Sequence, residues 1–110
     1  MSRRERLSSI LKKEISQILN RRINDSRIGF ISITEVTVSK DFAHAMVYYS
    51  QIGSDEEKEK TKKGLYSSQK FIKAEVGRVV RIHTVPDIHF KFDDSLERGV
   101  DLVQKIDRLE

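Results

Sequence analysis

Along the 110 residues the apolar side chains recur first at helical spacing, then at every second position, then helically again and once more in alternation. That succession limits the chain to a few helices laid on a small sheet. A single proline and five glycines leave little punctuation for linkers or repeats, so residues 1–110 read as one domain.

From Ser2 to Asn24, Leu7, Ile10, Leu11, Ile15, Ile18 and Leu19 form one apolar stripe, with Arg6, Ser9, Lys13, Ser16 and Asn20 opposite. Asn24-Asp25-Ser26 stops this helix and Gly29 marks a turn. Phe30 to Ser39 is β-branched and reads as a strand, but Ile31 and Ile33 alternate out of phase with Val36 and Val38. A β-bulge near Thr34-Glu35 accounts for the shift. After the short Ser39-Lys40-Asp41 connection, Phe42 to Gln51 is predicted to return antiparallel, with Ala43, Ala45, Val47 and Tyr49 on one side.

Ser54 or Asp55 caps a second helix, whose first turn is acidic as the helix dipole favours. Leu65, Ser68, Ile72, Val76, Val79 and Val80 form its predicted core stripe, and the pattern runs to about Arg81. A helix that long in so small a domain is expected to bend near Ser67-Ser68-Gln69. Pro86 ends the helical region, and Ile88, Phe90 and Phe92 alternate with His89 and Lys91 as a third strand. Asp93-Asp94-Ser95 then caps a predicted last helix bearing Leu96, Val100, Val103, Ile106 and Leu109. The reading is an α+β two-layer domain with the helices on one face of a three-stranded sheet, an order compatible with a type II KH-like fold.

Little in the chain points to catalysis. Without cysteine there is no thiol nucleophile, disulfide or thiolate metal site. His44, His83 and His89 have no sequence neighbours that suggest a triad or a metal pair, and helix capping explains Asp93-Asp94. No phosphate-cradling glycine motif is present. The expectation is a protein that is not an enzyme and has no cofactor and no metal. The charged N-terminus lacks the apolar run of a signal peptide, and no stretch has the length of a membrane span, so a cytoplasmic protein without a membrane partner is expected.

A formal charge of +4 favours a polyanionic partner. On a continuous second helix, Lys63, Lys70, Lys73, Ala74, Gly77, Arg78 and Arg81 fall on one side, which that helix leaves free of acid. Such a stripe, with small residues in it, suits a phosphate backbone, although lysine runs are as often solvated faces. Arg3, Arg6 and Lys13 offer a second basic surface on the first helix, whereas the stems of Arg4 and Arg22 cover core. The aromatic residues fall mostly on core positions and suggest no base-stacking platform. A module that binds a partner protein through its helices is the alternative reading, and a small hydrolase ranks third.

The string Val36-Thr37-Val38-Ser39-Lys40-Asp41, followed by Ala43, Ala45, Val47, Tyr48, Tyr49 and Ser50, resembles the hairpin of the ribosome-binding factor A family. So does Arg81-Ile82-His83-Thr84-Val85-Pro86-Asp87-Ile88-His89-Phe90, running into Phe92-Asp93-Asp94-Ser95 and Gly99. Phe71-Ile72-Lys73 is similar to the family's Phe-Ile-Arg segment. The resemblance covers nearly the whole chain. It implies a type II KH-like fold in which an Ala-x-Gly helical kink replaces the usual Gly-x-x-Gly loop; Ser68-Gln69-Lys70 stands at those positions, with serine for alanine and lysine for glycine. It further implies binding to the immature small (30S) subunit and its 16S ribosomal RNA; a monomer needs no extra assumption, and no DNA partner is expected. Late maturation, 5′-end processing, growth in the cold and departure before initiation are implied in the same way.

Overall fold

A computed structural model describes residues 1–94 of the protein. The helix predicted from Leu96 to Leu109 lies outside the described residues. In chain order the elements are α1 (Arg3–Arg21), β1 (Ile31–Val38), β2 (His44–Gln51), α2 (Asp55–Val79) and β3 (Asp87–Phe92).

Helix α1 starts where the Ser2 hydroxyl accepts the backbone N–H of Glu5 at 3.1 Å. Its Leu7, Leu11, Ile15 and Ile18 are buried, whereas Ile10, predicted for the same stripe, lies at its edge and is exposed. Strands β1 and β2 pair antiparallel, with Ile33 opposite Tyr49 and Val36 opposite Val47. The register shifts between Ile33 and Glu35. This is the bulge that the phase change predicted, and it returns Ile31 and Ile33 to the face that holds Val36 and Val38. In the connection the Asp41 carboxylate accepts from the Ser39 hydroxyl at 2.7 Å and the Ala43 N–H at 3.0 Å. These bonds, which hold Asp41's carboxyl below its usual range, brace Phe42 in the left-handed region at φ 61°.

Helix α2 opens on a capping box in which the Ser54 hydroxyl accepts from the Glu57 N–H and the Glu57 carboxylate accepts from the Ser54 N–H. The helix is one uninterrupted run to Val79, so the bend expected near Ser67-Ser68-Gln69 leaves no break in it. Both serine hydroxyls donate back to carbonyls one turn earlier, Ser67 to Lys63 and Ser68 to Gly64, and are satisfied inside the helix. Leu65, Ser68, Ile72 and Val76 are buried as predicted, but Val79 is 57% exposed. The missing part of the stripe lies at the other end. Thr61 is fully buried; its hydroxyl accepts the Gly29 N–H at 3.0 Å and donates to the Arg27 carbonyl. One turn on, Gly64 lets the same loop approach closely, since a Cβ there would stand 2.6 Å from Ile28 Cγ1.

The sheet order is β1-β2-β3, with β3 parallel to β2. α1 packs on β1 and α2 on β3, and the core gathers Leu11, Ile15, Ala45, Val47, Ile72, Val76 and Ile88 between the layers. The opposite face carries His44, Met46, Tyr48 and Ser50 of β2 beside His89 and Lys91 of β3. The expected two-layer, one-sided α+β architecture is therefore present. Replacing fully buried Ile72 with alanine should lower stability by about 3 kcal/mol in urea denaturation, the usual result of opening a core cavity. Gly64→Ala should cost about 2 kcal/mol despite alanine's helix preference, because crowding against Ile28 outweighs it.

Candidate nucleic-acid interface

The cations of α2 do not form one acid-free side. Lys73 Nζ donates to Asp87 Oδ1 of β3 at 2.6 Å, which pins it on the side facing the sheet edge. That hydrogen bond and the lysine charge hold the Asp87 carboxyl below its ordinary value, with smaller contributions from His44 and His89. Arg78 is pinned on the side facing α1. It donates to Glu75 Oε1 at 3.0 Å, and the other oxygen of that carboxylate is 3.3 Å from Arg22 of α1. Glu75 is only 8% exposed, so it is held by two guanidinium groups at the α1–α2 seam and does not point away into solvent. Arg22, expected to cover core, is exposed and serves as an ion-pair partner.

Lys63 and Lys70 keep the placement that the sequence predicted. Both are exposed, and neither has a salt bridge among the described residues. Seven residues apart, they stand about 10 Å apart along one line of the helix. Arg81 is exposed just beyond the helix C-terminus. On α1, Arg3, Arg6 and Lys13 are exposed, with Arg6 and Lys13 two turns apart on one side.

Beside Lys63 lies a groove of about 420 Å³ between α2 and β3, lined by Glu59, Lys62, Tyr66, Ser67 and Gln69 of the helix, Arg27 of the loop, and Tyr49 and Phe90 of the sheet. Tyr66 is 75% exposed. Tyr49 meets Phe90 and Phe92 edge-on, with ring centroids 6.4 and 5.8 Å apart, and Lys58 sits 5.2 Å above the Phe92 ring. Burial, then the charge of Glu59, pushes the Tyr49 hydroxyl up, so it remains protonated through the neutral range. Arg27 is locked against Asp25, whose carboxyl is lowered to about 2 by the guanidinium and backbone hydrogen bonds of Arg27. The groove thus combines Lys62, Lys63 and one carboxylate, Glu59, with the open ring of Tyr66 and amide and hydroxyl groups; the ring and the amide suit a nucleobase, and the lysines a phosphate.

Sequence reading assigned the aromatic residues to the core and missed this groove. Tyr66 was the available signal: it stands one turn from Lys63 and off the core stripe. Ser68, one of the three predicted kink residues, is buried, while Gln69 faces the groove and Lys70 solvent. His44 and His89, far apart in sequence, meet on the helix-free face with Nδ1 and Nε2 3.0 Å apart. One ring donates and the other accepts. Among the described residues no three His, Cys, Asp or Glu side chains gather as a metal site, and no helix is long and apolar enough to cross a membrane.

Two helices on one face of a sheet whose last strand returns parallel to its middle one, after a helix–strand–strand–helix–strand order, define a small type II KH-like domain. The chain belongs to the ribosome-binding factor A family, whose model matches residues 3–106. It is similar to ribosome-binding factor A of Dictyoglomus thermophilum, at 49% identity over 97% of this chain and 90% of that one. Its fold is shared with the crystal structure of ribosome-binding factor A from Thermus thermophilus, at a TM-score of 0.72 and 21% identity over 81% of this chain and 93% of that one. It also resembles a Thermus thermophilus ribosome-binding factor A homology model fitted into a cryo-EM map of a 30S complex, at a TM-score of 0.64 and 22% identity over 77% and 89% of the two chains.

The Lys73–Asp87 pair gives a pH test. Because Asp87's folded value lies below its ordinary 3.8, the pair's contribution is complete above that value and disappears as pH falls through the lowered one. In Lys73→Met the Asp87 carboxyl midpoint, followed by NMR, should rise towards 3.8. An unchanged midpoint would show that the ion pair is not its cause.

Proposed function

We propose that the protein binds the immature small ribosomal subunit by holding 16S ribosomal RNA in the α2–β3 groove. Lys63, Lys70 and Arg81 contact phosphates, and Arg3, Arg6 and Lys13 of α1 form a second contact. Lys73 and Arg78, whose charges are shared with Asp87 and Glu75, bound the first surface on either side. Tyr66 stacks on a base, and Gln69 and Ser67 offer hydrogen bonds to it. Support comes from family membership and from the 30S complex of the Thermus relative. The observation that carries the reading is the pair of cations without salt bridges, Lys63 and Lys70, beside an open aromatic groove.

No bond is made or broken in this role. The cytoplasmic, monomeric protein favours one arrangement of the RNA by binding it more tightly, since a ligand shifts an equilibrium only by its differential affinity. Late maturation, including 5′-end processing, and growth in the cold follow from that preference.

In the triple variant Lys63→Glu, Lys70→Glu, Arg81→Glu, the protein should stay folded but lose co-sedimentation with precursor subunits. Neutralising Lys63 and Lys70 alone should lower the log–log salt slope of RNA binding by about 2, one for each phosphate contact. Tyr66→Ala should weaken binding by about tenfold, within the range for one stacked base, and leave that slope unchanged. Wild-type sedimentation of the triple variant would exclude this surface.

A further inference from the structure

Among the described residues Glu75 is the one charged side chain that is buried. Its two oxygens hold different guanidinium groups, Arg78 of the same helix and Arg22, the C-cap of α1. Burial across this trio is lopsided. The Glu75 side chain keeps 11% of its surface in water, whereas Arg22 keeps 56% and Arg78 68%. Each arginine meets the carboxylate through Nη1, and its other guanidinium nitrogens have no partner among the described residues. Two cations on one acid leave a net positive charge at the seam, with most of its N–H donors turned to solvent.

The seam continues the surface assigned to RNA. Lys70, Ala74 and Arg78 are spaced four apart along one ridge of α2, so Arg78 stands about 12 Å beyond Lys70. Ala74 between them is exposed, and a side chain that short lets a sugar–phosphate strand lie close to the helix.

We propose that Arg22 and Arg78 clasp one RNA phosphate over the α1–α2 seam, with Glu75 as the positioning residue that fixes the two guanidinium groups. Their planar forks match phosphate oxygens. The carboxylate beneath them restrains side chains that an exposed arginine otherwise has to order on binding. The clasp carries the contact of Lys63 and Lys70 onto α1, and it rests on the RNA-binding reading of that surface.

Replacing the trio together, Arg22→Met with Glu75→Met and Arg78→Met, leaves no buried charge behind, so the full-length protein should stay folded. Titrated with a 16S ribosomal RNA transcript, it should show a log–log salt slope smaller by about 1, the loss of one phosphate contact. An unchanged slope would overturn the proposal. Arg22→Lys with Arg78→Lys keeps both charges and the attraction to Glu75 but not the forks. Its affinity should fall about tenfold while the slope and the urea midpoint hold; wild-type affinity would overturn the clasp. Glu75→Gln separates positioning from charge. Charge alone predicts tighter binding, since an acid beside the phosphate is lost, whereas positioning predicts weaker binding. Equal or tighter binding would remove Glu75 from the role. All these variants retain Lys63 and Lys70. Loss of slope on neutralising those lysines therefore tests the RNA reading separately, and if it holds while the seam variants bind as wild type, the clasp alone fails.

Discussion

Ala45 and Val47 of β2 are fully buried, and both helices lay their apolar stripes against the face that carries them. This one-sided burial is the constraint on which the remaining features depend. It requires the β1 bulge, because without the extra residue Ile31 and Ile33 would turn to solvent. It places α1 over β1 and α2 over β3, leaving a groove at each outer flank of the helical layer. It also leaves the reverse face of the sheet free for polar groups, including the hydrogen-bonded His44 and His89.

Most of this architecture could be read from spacing alone. The stripe Leu7, Leu11, Ile15 and Ile18, the Ser54 cap, the phase change at Thr34-Glu35 and the alternation from Ile88 to Phe92 are local signals, and local geometry answers them. Misreadings came where a distant segment decides the environment. Thr61 and Gly64 look like ordinary helix positions until the loop from Arg27 to Gly29 packs on them. Val79 continues a helical stripe beyond the reach of the sheet and is left in solvent.

The candidate site was legible in the same partial way. A helical projection sees only the charges on its own helix. It therefore missed Asp87 of β3, which comes to Lys73, and Arg22 of α1, which shares the Glu75 carboxylate with Arg78; the Glu75–Arg78 contact itself lies within α2, three residues apart, and was open to the projection. Lys63 and Lys70 escaped this error because no carboxylate from another element is paired with them among the described residues. Tyr66 was hidden by its aromatic side chain, which suggests core, although it lies about a third of a turn round the helix from Leu65 and Ile72 and is exposed.

The parallel pairing of β3 with β2 sets an order of assembly. The β1–β2 hairpin and both helices can form from neighbours in sequence, but a parallel partner is reached only by a crossover, and here the crossover is the whole of α2. One wall of the α2–β3 groove, Phe90, therefore comes from the strand whose pairing needs that crossover. Until that strand docks, the lysines of α2 stand without the cleft, so the groove is a property of the finished domain.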